Sequence, residues 1–581
     1  MSKKWLFISV ALLVIGGGIF ALLARRGTYT HYYYEIPSMN HESLVVQCPY
    51  PDNDSEELIS FEHTIETRAT NLQKLAMVWG FTKYTHLAFI SGERCWDAEL
   101  LQLVPTIYDA HPNEVNHILY EWLLSLGEDG YDFTYGHDRN WDLETWLAEW
   151  SIYFTEQIEQ LAHRFDEGLV SARYYSYRYN YFITIFKELD NFYDVITTSG
   201  NATDWHKAVG MWNEAFPRYI QTTQTMERTL RTATDFSWIN SDFLGEHLAL
   251  RLQRFDGIAT ANRENAPVYF NLLGNSVFSN QKTHSNMDFS DKSYLLLGLF
   301  RMWNAMLYFY PNMDTIDYDW YESLLEYIPQ ILEAETRNYY VNTLLSLARR
   351  LDDAHISIGS RTTHAVGWSN TATESHVLLE YNIGLINPCR SVFLWGDTHY
   401  IMQAFADTYG IIVDLRQVPC YSIVHDLAEY IVRTPTRFAR MSRPDQFIPG
   451  AFIYASFPEL YSGGITTPYA FFYDRPVVLL MTRSTMSSME FAVMSLRMGE
   501  NVTVIGGNSR GANGDATFLP LPGGETMRFT GLGIFTPEGG QTHRIGLESN
   551  IHFTPTRFDG SDELLKAAVE YILARPPSGE G

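Results

Sequence analysis

Between Lys292 and Lys566 the chain has no lysine, a gap of almost half its 581 residues. A serine nucleophile is nearly inert without a base, and the two common bases are histidine and a buried neutral lysine. Over that interval only histidine is present: His355, His364, His376, His399, His425, His543 and His552. Cysteine is scarce too. Cys48, Cys95, Cys389 and Cys420 share no CxxC spacing, which argues against a zinc or redox centre. There is no HExxH, no Walker loop and no metal-ligand cluster, so no metal and no cofactor is expected. Positive charge is also short, and the formal net charge is −26. Nucleic acid, which needs a basic surface to displace its counterions, is excluded as a partner. The same acidity disfavours docking of the body on anionic lipid. The Gly-rich IGGNSRGANGD (505–515) lacks the GxGxxG spacing of a dinucleotide site and reads as a substrate-side loop.

One long apolar run is present, at the N-terminus. MSKK is followed by Trp5 to Ala24 without interruption, then by Arg25-Arg26. About 20 apolar residues suffice to span a bilayer as a helix. Residues 1–26 are therefore expected to be a signal peptide or an N-terminal membrane anchor. The body is expected to be exported, periplasmic or in the cell envelope, touching membrane only through that segment if it is uncleaved. In an exported chain the cysteines could form two disulfides, and Cys48–Cys95 and Cys389–Cys420 are nearest in sequence.

Residues 27–65 look like an extended lead-in. Helical periodicity then runs to about 350 and contains an internal repeat. LQKLAMVWGFTKYTHLAF…CWDAELLQLVPTIYDA matches LLGLFRMWNAMLYFYP…DWYESLLEYIPQILEA, with Trp79, Tyr84, Trp96, Pro105 and Ala110 on Trp303, Tyr308, Trp320, Pro329 and Ala334. Each pair is 224 positions apart. One offset across Trp and Pro landmarks indicates a duplicated helical unit. From about 378, apolar runs (GIIVDLR, PVVLLM, VTVIGG) interleave with helical segments, as in an α/β core with mainly parallel pairing. The expected fold is multidomain α+β: a helical domain at 66–290 with the first copy, a second helical repeat at 291–360, and an α/β core at 361–581 with a mixed sheet and flanking helices.

Two places in this core carry chemistry. RSTMSSMEFAVMSL (483–496) follows the apolar run RPVVLLM, so its hydroxyls crowd a strand-to-helix junction. Unpaired N–H groups at a helix start can hold an oxyanion. Ser487-x-x-Glu490 is equally a capping box, which would need no catalysis. The second helical copy ends in LARRLDDAHISIGS, placing His355 beside Asp352 and Asp353, and the first copy has no histidine there. His355 is either a base or a satisfied polar residue at a helix end.

Taken in order, RMWNAMLYFYP, LARRLDDAH, GIIVDLRQVP, RPVVLLMTRSTMSSMEFAVMSL, VTVIGGNSRGANGD and RIGLESNIHFTPT…DELLKAAVEYI resemble one family. It is the tail-specific, C-terminal processing serine peptidases, in the tricorn-core-like branch, and the resemblance spans about residues 290–575. It implies a serine peptidase acting on polypeptide through an acyl-enzyme. Ser487 falls on the nucleophile and His355, in the D-x-H, on the general base. Ser488 N–H falls on the oxyanion donor. Glu490 falls on the acid of the S-x-x-E and is expected to be structural. The third, orienting carboxylate falls near Glu548, with Asp353 or Asp352 as alternatives. The chain departs from the family in three ways. Ala512 stands where much of the family has a lysine, 25 positions after the nucleophile. Only 59 positions separate His355 from Asp414, too few for a PDZ domain of about 90 residues. The run DLRQVPCYS lacks the family's glycines. The family's inactive binders imply the alternative function, a carrier of an apolar ligand or peptide.

Overall fold

A computed structural model describes residues 64–127, 230–253, 263, 265–271, 274–360, 375–388, 397–416, 424–445, 448–455, 460–464, 470–554 and 561–575. The N-terminal apolar run, most of the lead-in, Cys48, Cys389, Cys420 and the QVPCYS segment lie outside the described residues. Among the described residues no helix is long and apolar enough to cross a membrane. The chain divides into two compact units. Residues 44–133, 221–393 and 398–581 form one of them, and the other lies almost wholly outside the described residues.

The duplicated unit is visible as paired helices. The first copy gives α1 (Ile65–Thr85) and α2 (Trp96–Tyr108); the second gives α3 (Lys292–Phe309) and α4 (Ser323–Leu332). Thr64 and Asp291 cap α1 and α3, each side chain accepting from a backbone N–H of the first turn. Trp79 Nε1 donates to Trp96 O at 2.8 Å, and Trp303 Nε1 donates to Trp320 O at 2.8 Å. The same bond in both copies shows that the offset read in the sequence is structural. Equivalent residues also meet one another. Tyr84 and Tyr308 pack edge to face at 5.6 Å, and a Cβ on Gly80 would lie 1.8 Å from Asn304 Oδ1, 224 positions away. The copies therefore face each other about an approximate two-fold axis. Gly80 is required there, because Asn304 fills the space a side chain would occupy while donating to Ala76 O at 3.0 Å.

The core of this interface does not stop at the helices. Leu519, Leu521, Met527 and Phe529 belong to the same buried cluster as Trp79 and Trp303. They come from a hairpin, β7 (Ala516–Leu521) and β8 (Glu525–Thr530), that lies far along the chain. The domain boundary expected at 360 is thus crossed by one continuous core. After α5 (Arg337–Arg349) the chain enters β1 (Ser357–Ser360), which pairs antiparallel with β8.

The second core is a mixed sheet. It contains β2 (His376–Leu379), β3 (Ile383–Ile386), β4 (Gly410–Asp414), β5 (Val477–Met481), β6 (Val502–Gly506) and β9 (Ile551–His552), ordered β9-β6-β5-β4-β3-β2. All neighbours are parallel except β2 with β3. Alternation along β5 explains its unbroken apolar sequence. Val477, Leu479 and Met481 face one cluster together with Met489 and Val493 of α6 (Ser488–Leu496). Val478 and Leu480 face the other, with Leu564, Ala568 and Ile572 of α7 (Glu563–Leu573). Buried on both faces, β5 presents its C-terminal end at the sheet rim, where ligands bind in open parallel sheets.

Candidate active site

The hydroxyl residues after β5 have different roles. Thr485 is fully buried and rivets the turn: its Oγ1 donates to Leu415 O at 2.8 Å and accepts from Thr482 N at 3.1 Å. Its carbonyl accepts from Arg510 N at 2.9 Å. Ser484 is exposed in the turn, and Ser488 is the first residue of α6. Ser487 sits between them at φ 54°, ψ −127°. Non-glycine residues rarely adopt this conformation, and holding one there costs about 1–3 kcal/mol. A capping side chain needs an extended Ncap backbone. With φ positive, Ser487 makes no side-chain bond to the helix. The serine half of the expected capping box does not form.

Glu490 keeps the acid half of the box, taking the Ser487 backbone N–H, and reaches further. It is buried, and it accepts from Ser509 Oγ, from Gly511 N at 2.8 Å and from Ala512 N at 2.8 Å. Burial raises its pKa, and these bonds oppose the rise. The Gly-rich segment is therefore not an open substrate-side loop. Ser509, Ala512 and Asn513 are buried, and Ser509 Oγ accepts in turn from Leu547 N at 2.6 Å. The clamp brings Ala512 O to Ser487 N at 2.7 Å. The position where the resembled family has lysine thus lies against Ser487, occupied by a buried methyl group.

His355 leaves α5 through a turn in which Asp352 has φ 48°. Asp353 holds the backbone on both sides of the ring. Its Oδ1 accepts from His355 N at 2.9 Å and its Oδ2 from Thr530 N at 2.8 Å. The imidazole Nδ1 lies 2.8 Å from Thr530 Oγ1 and 3.6 Å from Asp353 Oδ1. Nε2 is buried and has no partner among the described residues. Burial pushes the ring pKa down to about 4; Asp353 opposes this, while Arg528 and His543 add to it. A buried neutral imidazole with one nitrogen held and the other unpaired has the form of a general base. Nε2 is not bonded to Ser487 in this state. The two are joined through one short loop: Ser487 N donates to Ala512 O, and a Cβ on Gly514 would lie 3.2 Å from the Thr530 methyl.

The carboxylates expected near His355 separate cleanly. Asp353 is in contact with it. Asp352 instead pairs with Arg544 Nε at 3.1 Å. Glu548 is exposed, and the charge it acts on is that of Arg497. His543 lies in the same region, with Nε2 2.8 Å from Tyr310 OH and Nδ1 buried without a partner among the described residues. Thr530 is the residue sequence reasoning missed. TMRFT alternates as a strand should, but nothing in it says which histidine it meets. The Arg416 side chain of the DLR run grips Asp414 and Asp562 together, tying the end of β4 to the cap of α7. Among the described residues no group of three or more His, Cys, Asp and Glu is placed to hold a metal.

The region thus holds a serine on a strained strand-to-helix turn and, across one short loop, a buried histidine. Residues 422–553 match Peptidase family S41, so this part of the chain is similar to the peptidase domain of that family. No curated protein matches the chain. Among solved structures, a protein of Parabacteroides merdae is 17% identical with a TM-score of 0.39, over 50% of this chain and 99% of that one. A lipoprotein from Streptococcus agalactiae is 13% identical with a TM-score of 0.36, over 48% and 96%. The photosystem II D1 C-terminal processing protease is 12% identical with a TM-score of 0.30, over 47% and 96%.

Proposed function

We propose that this protein is an exported serine peptidase in which Ser487 is the nucleophile and His355 the general base. The observation that carries the reading is the backbone of Ser487, strained at the rim of the sheet with its side chain excluded from capping. Strain of this kind persists only where the surroundings over-determine it, and it clusters at active sites. Here Thr485, Ala512 O and the Glu490 clamp supply that constraint.

Ser487 Oγ attacks a peptide carbonyl as its proton passes to His355 Nε2. That atom must begin unprotonated, so Nδ1 carries the hydrogen and donates it to Thr530 Oγ1. Asp353 fixes both partners from behind and favours the imidazolium that forms. The start of α6, with Ser488 N–H first, presents its positive end to the oxyanion. His355 returns the proton to the leaving amine, and water, deprotonated by the same ring, releases the acyl group. Export is supported by the N-terminal apolar run and by Cys95, which is disulfide-bonded; disulfides persist in oxidising compartments. Residues 1–26 serve as the signal or anchor.

The test is hydrolysis of an unfolded protein such as reduced, alkylated casein by the chain lacking residues 1–26. Wild type should release new amino termini, and Ser487→Ala and His355→Ala should not. Equal release by Ser487→Ala would end the proposal.

A further inference from the structure

The face of β8 that carries Thr530 also carries Arg528. Met527 and Phe529 point into the helical core, so Thr526, Arg528 and Thr530 share the opposite face. Register fixes the neighbours. Arg528 stands opposite Phe518 on β7 and Ser357 on β1, and Thr530 stands opposite Ala516. Arg528 is therefore one two-residue step, about 7 Å, from the row in which Thr530 holds His355.

Its guanidinium is half-buried and, among the described residues, makes no hydrogen bond or ion pair. The acids that act on it, Asp353 and Asp515, are engaged elsewhere. Asp353 uses both oxygens on His355 N and Thr530 N, and Asp515 accepts from Asn275 Nδ2 at 3.1 Å. Other arginines of this region have fixed partners: Arg337 takes Glu525, Arg416 takes Asp414 and Asp562, and Arg544 takes Asp352. A partly desolvated, unpaired cation is unfavourable unless something completes it. Phe518, 49% exposed, flanks it with apolar surface.

We propose that Arg528 anchors a carboxylate-binding subsite beside Ser487 and His355, which takes an acidic side chain or the terminal carboxylate of a polypeptide substrate. This rests on the peptidase reading above. Extended polypeptide advances about 3.4 Å per residue, so a carboxylate about two residues from the scissile bond lies level with Arg528. The planar guanidinium suits it, since arginine binds carboxylate through two parallel N–H···O bonds.

The experiment uses internally quenched peptides in matched pairs, Glu against Gln at each position around the cleaved bond, each as C-terminal acid and amide. Wild type should prefer the carboxylate-bearing member by roughly ten- to a hundredfold in kcat/KM. In Arg528→Gln that ratio should fall to about one, and Arg528→Lys should keep part of it. A preference that follows the Glu position identifies a side chain; one that follows acid over amide identifies the terminus. Either supports the subsite. A wild type indifferent to both, or an Arg528→Gln ratio equal to wild type, overturns it. Thermal unfolding of each variant shows that it is folded, and Arg528→Lys serves alone if Arg528→Gln is not. Failure of wild type to cleave any peptide or to react with a fluorophosphonate would instead refute the peptidase reading, and the subsite with it.

Discussion

Glycine usually destabilises a protein relative to alanine, by about 0.5–1 kcal/mol, because it has more backbone freedom to lose on folding. At position 487 the order should reverse. Serine and alanine both carry a Cβ, and both must hold φ 54°, ψ −127°, at about 1–3 kcal/mol. Glycine adopts that region without a steric clash. Subtracting its entropic penalty leaves Ser487→Gly more stable than Ser487→Ala by roughly 0.5–2 kcal/mol. For a large domain that is a rise of a few degrees in Tm. The backbone bond from Ser487 N to Ala512 O is common to both variants, so the comparison isolates strain from side-chain loss. Urea unfolding of wild type and both variants, with equal m values, measures the difference. A glycine variant less stable than the alanine variant would refute the claim that the elbow stores strain.

The contacts around His355 and at the two-fold axis carry further expectations. His355 must be neutral to act, so the rate of fluorophosphonate labelling should rise with a midpoint near pH 4 and be flat by pH 6.5, the usual histidine pKa. Between those values the unfolded chain binds the proton that the folded chain refuses. Stability therefore increases with pH across that window, by roughly 3 kcal/mol from this residue, and is lost again as pH falls through 6.5 towards 4; urea titrations at both ends measure it. Thr530→Val leaves His355 Nδ1 without its 2.8 Å partner and should lower kcat about ten- to a hundredfold with little change in KM, while Thr530→Ser should restore most of it. Histidine ¹⁵N shifts should show the Nδ1–H tautomer in wild type and lose it in the valine variant. Gly80→Ala would drive a methyl into Asn304 at the two-fold axis and should destabilise by at least about 1–3 kcal/mol, read by urea unfolding.

The parts of the fold legible in the sequence are those with a period or a landmark. Trp79 and Trp303 sit at one offset, and each makes the same bond to the tryptophan 17 positions on. PVVLLM reads as a strand buried on both faces and is one. The features that stayed hidden depend on contacts between residues far apart in sequence. No local pattern says that the β7–β8 hairpin packs on helices two hundred residues earlier, so the boundary expected at 360 falls inside one core. The site divides the same way. Ser487 and His355 stand out by position, at a strand-to-helix junction and at a helix exit. Thr530 does not, because it reaches His355 only through the pairing of β8 with β1; the acid in contact with His355 is Asp353. Ser487-x-x-Glu490 misled for a physical reason. The spacing fits a capping box, but φ at Ser487 is positive, so its side chain does not cap, and Glu490 reaches past the Ser487 N–H to the Gly-rich segment.

The central claim is that Ser487, activated by His355, is a nucleophile. Its most direct test is labelling of the folded protein lacking residues 1–26 with a fluorophosphonate probe, then mass spectrometry of the modified peptide. The adduct should map to Ser487 alone, vanish in Ser487→Ala and form far more slowly in His355→Ala. A well-folded wild type that stays unlabelled, or an adduct on Ser484, Thr485 or Ser488, would contradict the account.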